Sequence, residues 1–137
     1  MGIAAAICVT GAAIADEVWS TGIGDVVYER DLDTGEAVLS YPTIDSEVRG
    51  LVFIEGLAGQ FEGRSSYSGI WVEPGAEEQA CAYAISHPET GDPVFSWGRI
   101  SMIFVEPDFP GGWVISRGTC FDDPDQYLIG KPIVGGE

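Results

Sequence analysis

Asp33, Thr34 and Gly35 stand together in the run RDLDTGEAV, a carboxylate beside a hydroxyl and a glycine. A carboxylate so placed acts as a general acid or base when it is buried and hydrogen-bonded. The single histidine, His87, lies in SHPETGDP, and the fragments DLDTGE and DDPDQ set acidic side chains at short spacings. Histidine is the commonest proton-transfer residue at neutral pH, and closely spaced carboxylate oxygens suit a hard cation such as calcium. A third group is aromatic and basic: Trp71, Trp97 and Trp113, with Tyr67, Arg99 and Arg117, all in runs of strand-like composition. Indole faces beside guanidinium groups suit an apolar ligand that bears a carboxylate or another acceptor.

The Asp-Thr-Gly triplet resembles that of the aspartic proteases, and the resemblance would make Asp33 a catalytic aspartate. It extends over the triplet alone. In such an enzyme the aspartate sits between apolar strands, whereas Arg30, Asp31 and Glu36 surround Asp33 with charge that is costly to bury. The segment YLIG at 127–130 is similar to the one that braces a protease loop, but lies too far along the chain for a compact single-lobed enzyme. The flanking runs DVVYER and EAVLSY explain the triplet as a hairpin turn, in which Gly35 takes the left-handed position and Asp33 is a turn residue.

The remaining chemistries lack partners. No serine-centred elbow accompanies His87, which falls in a turn between strands, and neither acidic fragment has the full ligand set of a calcium loop. The sequence therefore predicts no catalytic residue, no metal and no cofactor, and a protein that binds rather than catalyses.

Charge narrows the partners. Lys and Arg number 6 against 22 Asp and Glu, a net charge of -16. Six cations cannot form the basic stripe that displaces counterions from a phosphate backbone, so nucleic acid is excluded as a partner. An anionic membrane surface is disfavoured for the same reason. A basic protein would be steered toward so acidic a molecule.

Residues 3–15, IAAAICVTGAAIA, form an apolar run too short to span a bilayer and end on the small-residue pattern Ala13-Ile14-Ala15. They read as a signal peptide, residues 1–15, with a mature domain over 16–137 in the periplasm or outside the cell. The basic residues that open such leaders are missing, and Ile7 before Cys8 is wrong for lipid attachment. Loss of Cys8 with the leader leaves Cys81 and Cys120, an even pair that predicts one disulfide in an oxidising compartment.

The mature region shows no sustained helical period. Strand-like runs at 25–30, 36–41, 50–55, 60–72, 80–86, 94–105, 112–121 and 126–129 alternate with turn clusters such as PGAEE, HPETGDP and EPDFPGG. This predicts an all-β domain: a small antiparallel barrel of seven or eight strands with a calycin-like shape, or else a β-sandwich. In a plain meander the two cysteines would lie two strands apart, about 9.5 Å, beyond the span of a disulfide. The bridge is accordingly expected at a strand end, where Cys120 precedes the loop DDPD.

Side-chain alternation then sorts the aromatic and basic residues. If odd positions pair with odd, Trp97, Arg99, Trp113 and Arg117 share one face, joined by Tyr67 and Trp71, and form an aromatic, arginine-bearing lumen for a small apolar anion. The alternative is a protein-binding module, for instance an inhibitor of a basic envelope or host enzyme, acting through the 107–112 loop with Phe109 at its tip.

Overall fold

In the computed structural model, residues 17–43, 47–73 and 81–133 are described; the expected leader at 1–15 lies outside them. The described chain is all-β. Its strands are β1 (Val18–Thr21), β2 (Gly24–Asp31), β3 (Glu36–Tyr41), β4 (Gly50–Glu55), β5 (Ser66–Val72), β6 (Ile85–Ser86), β7 (Pro93–Val94), β8 (Trp97–Phe104), β9 (Trp113–Arg117) and β10 (Gln126–Pro132). Eight of them close an antiparallel barrel in the order β1-β10-β9-β8-β5-β4-β3-β2, with β1 paired to both β2 and β10. That closure excludes the sandwich. The strands run up and down in sequence, and only β6 and β7 step outside the barrel to form their own two-stranded sheet.

Alternation builds the barrel. Along β8 the even residues Ile100, Met102 and Phe104 are buried, while Arg99, Ser101 and Ile103 are exposed. The inward set of all eight strands forms one core that includes Trp19, Tyr28, Leu39, Tyr41, Ile54, Trp71, Met102, Trp113 and Ile115. Two glycines mark where a ring lies against a wall: a Cβ on Gly130 would meet the Trp113 indole at 2.5 Å, and one on Gly50 would overlap the Tyr41 ring. The β2–β3 turn is the predicted hairpin. Leu32 N donates to Glu36 O at 2.8 Å, Gly35 has φ of +105°, and Asp33 is exposed. Asp33 is thus a turn residue.

The run expected as a strand at 80–86 does not enter the barrel. The outward faces of β3, β4, β5 and β8 carry Val38, Phe53, Val72 and Trp97, an apolar set that needs a cover. The 81–96 segment supplies it, laying Ile85 and Val94 of its hairpin over those side chains. Cys81, which belongs to no barrel strand, bonds Cys120 beyond the end of β9, with Cα atoms 5.7 Å apart. The strand-end expectation holds for Cys120. Arg30 and Glu89 tie the hairpin's turn to β2 at 2.7 Å, and Trp97 Nε1 donates to Tyr83 O at 2.8 Å.

Other boundaries shift for local reasons. The first half of the expected 60–72 strand is a loop, because Gly59 and Gly63 take positive φ and Arg64 turns inward. β1 was not expected at all, and β10 extends to Pro132, where Trp19 pairs with it.

Candidate functional site

Each end of the barrel is crossed by an arginine, and the two are held very differently. At the end where β8 meets β9, Arg64 enters from the 56–65 loop. Its guanidinium grips Glu17 through two bonds of 3.0 and 2.9 Å, while Nε donates to Gln60 O at 2.7 Å. The side chains are 0% and 3% exposed, and the guanidinium lies 5.0 Å from the Phe61 ring and 4.9 Å from that of Phe104. Bidentate pairing and full burial make this end a fixed plug. The 105–112 loop seals it further: Arg64 N donates to Pro107 O, Phe109 N to Phe61 O and Trp19 Nε1 to Gly111 O.

At the opposite end Arg117 closes the mouth loosely. It sits at the last position of β9, facing inward, and its guanidinium lies 3.9 Å over the Trp71 ring and 5.7 Å from that of Tyr41. Its polar contacts are long: 3.4 Å to Glu73 Oε2 and 3.5 Å to the Tyr41 hydroxyl, which itself donates to Glu73 at 2.8 Å. Nε is buried without an acceptor among the described residues. Arg117 and Glu73 keep 25% and 18% of their side chains exposed. Burial pushes the Tyr41 phenol well above its ordinary range, with Arg117 opposing and Glu73 reinforcing the shift. The group is a cation on an aromatic platform, partly exposed and with only long polar contacts among the described residues.

Four of the six residues expected to line the lumen lie on its inner side, but only Arg117 and Trp71 meet; Tyr67 and Trp113 lie toward the plugged end, beside Met102 and Phe104. Arg117, Trp71, Trp113 and Tyr67 face inward or pack against the inner core. Trp97 and Arg99 do not. The register pairs Phe104 with Trp113 and Ile100 with Arg117, so odd positions of β8 stand opposite even ones of β9. The expected odd-with-odd pairing is corrected by that register, which the 105–112 loop sets. Trp97 joins the outer cluster, and Arg99 donates to Phe121 O at 2.5 Å on the outer wall. Below the mouth the interior is occupied by side chains, including a T-shaped pair of Trp19 and Trp113 with centroids 5.6 Å apart. The Trp113 indole N–H is also buried without an acceptor among the described residues.

Phe109 remains half exposed, its ring edge-on to Phe61 at 6.0 Å, so the tip folds back toward the plug. His87 caps the outer hairpin's turn, with its ring 5.5 Å from Phe53 and its Nδ1 accepting from Glu89 N. Among the described residues no group of three or more His, Cys, Asp or Glu side chains is placed to hold a metal ion.

Glu17, Tyr41, Arg64 and Glu73 escaped the sequence reading. Arg64 and Glu17 are 47 residues apart and Arg117 and Tyr41 are 76 apart, so no local spacing announces either group. The only local signal was an arginine beside the glycine of FEGR.

Fold and ends together define a closed eight-stranded up-and-down barrel with a plugged end and a loosely strapped one. No protein-family model, no curated protein and no solved structure matches the chain.

Proposed function

We propose that this chain is an exported, non-enzymatic binding protein that takes a small, flat, carboxylate-bearing ligand at the Arg117 end of its barrel. The observation that carries the reading is Arg117 itself: stacked on Trp71 at 3.9 Å, with polar contacts no shorter than 3.4 Å and a buried Nε without an acceptor among the described residues. A buried donor without a partner costs about 1–3 kcal/mol. A ligand carboxylate that bonds the guanidinium relieves that cost. The ligand carboxylate takes the place of Glu73, whose present contact is long. The disulfide is compatible with an oxidising compartment, which supports export.

Naphthalene-2-carboxylate and the uncharged naphthalene-2-methanol are suitable probes, followed by tryptophan fluorescence and calorimetry. The acid is expected to bind and to perturb tryptophan emission, Arg117→Met to abolish binding, and Glu73→Gln to strengthen it. Equal binding of acid and alcohol, or acid binding unchanged by Arg117→Met, would overturn the reading.

A further inference from the structure

Among the described residues three buried side-chain atoms lack a hydrogen-bond partner: Arg117 Nε, Trp113 Nε1 and the hydroxyl of Ser96. The first belongs to the mouth, and the last stands beside it. Glu73 N donates to Ser96 O at 3.1 Å, which carries the β5–β8 ladder one pair beyond Val72 and Trp97 and sets Ser96 opposite Glu73. Facing residues of an antiparallel pair project to the same side of the sheet. Glu73 projects to the mouth, where it meets Tyr41 and Arg117. Alternation along the chain agrees, since Trp97 packs in the outer cluster and its neighbour Ser96 falls on the inner side. Ser96 is only 6% exposed, so its hydroxyl is held away from bulk solvent.

Resting on the proposed carboxylate site at Arg117, we infer that Ser96 receives the Glu73 carboxylate when a ligand displaces it. The mouth then has two settings, with Glu73 held by Tyr41 and Arg117 or by Ser96. In the free protein Glu73 accepts from the Tyr41 hydroxyl at 2.8 Å and from Arg117 Nη2 at 3.4 Å. An incoming carboxylate takes the Arg117 donors and, standing where Glu73 stood, the Tyr41 hydroxyl as well. Glu73, whose side chain is 18% exposed, is left without a donor, and an unpaired charged group in such a place is costlier than a neutral one. Its cross-strand neighbour offers an idle one. Facing Cα atoms of an antiparallel pair lie about 4.5–5.5 Å apart, a gap that a glutamate side chain folded over its own strand spans. The transfer leaves both carboxylates bonded and the Ser96 hydroxyl in use. Ser96 is thus a positioning residue, which sets ligand affinity through Glu73.

A double-mutant cycle of Ser96→Ala and Glu73→Ala in the full chain, followed by calorimetry with naphthalene-2-carboxylate, tests the inference. Ser96→Ala is expected to weaken binding about 10-fold, the scale of a hydrogen bond to a charged group. In the Glu73→Ala background the same substitution should leave affinity unchanged, because no carboxylate remains to be received. Urea unfolding without ligand should show no loss of stability in Ser96→Ala; a marked loss would mean that the hydroxyl is already partnered and would overturn the inference. Equal weakening in both backgrounds would overturn it in favour of a direct bond from Ser96 to the ligand, and unchanged affinity in Ser96→Ala would overturn it outright. In each of these cases, acid binding that Arg117→Met abolishes leaves the proposed site standing. An acid that does not bind, or that binds Arg117→Met equally well, overturns the site and the inference together.

Discussion

Arg117 and Tyr41 stand on opposite walls of the barrel, on β9 and β3, and their side chains meet across its mouth, with Nη1 3.5 Å from the phenol oxygen. Four strand positions separate the two around the circumference in either direction, so the arginine acts as a strap over the lumen, with Trp71 beneath it. Arg99, on the neighbouring strand β8 and superficially equivalent in sequence, lies on the outer wall against Phe121. The two arginines should therefore respond differently to the same change. Arg117→Met is expected to lose about 1 kcal/mol of stability, the scale of a cation–aromatic contact, and to shift tryptophan emission to longer wavelength as water reaches Trp71. Arg99→Met should stay within about 0.5 kcal/mol, as surface substitutions do. Urea unfolding of both variants checks the ranking; equal losses would contradict the strap.

Tyr41 also sets the alkaline limit. Its phenol is pushed above the usual range chiefly by burial, and burial likewise raises Tyr28, which in addition donates to Asp31. An unfolded chain releases these protons near pH 10, about the ordinary tyrosine value, while the folded chain retains them. Protons held by the folded state alone make stability fall as pH rises. The contribution is complete below about pH 10 and is lost above it, at about 1.4 kcal/mol per pH unit for Tyr41. Urea midpoints measured from pH 8 upward should be flat and then decline, and Tyr41→Phe should make the decline shallower. An unchanged slope in that variant would show that the phenol ionises in the folded barrel.

Arg64 and Glu17 form the plug at the other end, and their burial fixes what each substitution does. Arg64→Met leaves a carboxylate buried without its counter-charge, which costs about 3–5 kcal/mol. Replacing both, as Glu17→Gln with Arg64→Met, removes the uncompensated charge and should recover most of the loss. A double-mutant cycle by urea unfolding measures the coupling. Additive losses would mean that the pair, despite its 2.9 and 3.0 Å bonds, is not coupled.

What the sequence made legible was whatever depends on alternation and turn chemistry. Val26, Tyr28, Leu39 and Tyr41 belong to the inner core, and Gly35 closes the hairpin between their strands, as the runs DVVYER and EAVLSY and the triplet between them implied. The disulfide followed from counting cysteines. The faces of β8 and β9 were not legible, because their relation depends on one residue of register in the 105–112 loop, and a slip of one exchanges every side chain between lumen and surface. That loop is held by Arg64, Phe61 and Trp19, contacts from distant parts of the chain. Nor was the 81–96 hairpin. Its strand-like composition is real, but what it covers is the outer side of Val38, Phe53 and Trp97, and a binary pattern does not distinguish a barrel strand from a lid over one.

That lid yields the last prediction. Cys81 and Cys120 are separated by 39 residues, and the bond between them encloses the whole outer hairpin together with β8 and β9. In the chain-entropy model a loop of this size contributes about 4 kcal/mol, comparable with a sizeable part of a domain's net stability. The barrel ladder itself does not pass through the bridge, since β5 pairs directly with β8. Reduction should therefore act in two stages. The hairpin loosens first and lets solvent reach Trp97, whose N–H is bonded to Tyr83 O of that segment, and the barrel then unfolds at a lower denaturant concentration. Hydrogen exchange on reduced protein should show early loss of protection at the Cys81, His87 and Gly91 amides, which bond within the lid and to Phe95, while β2, β3 and β4 stay protected. Simultaneous loss across lid and barrel would show instead that the outer hairpin and the barrel fold as one unit.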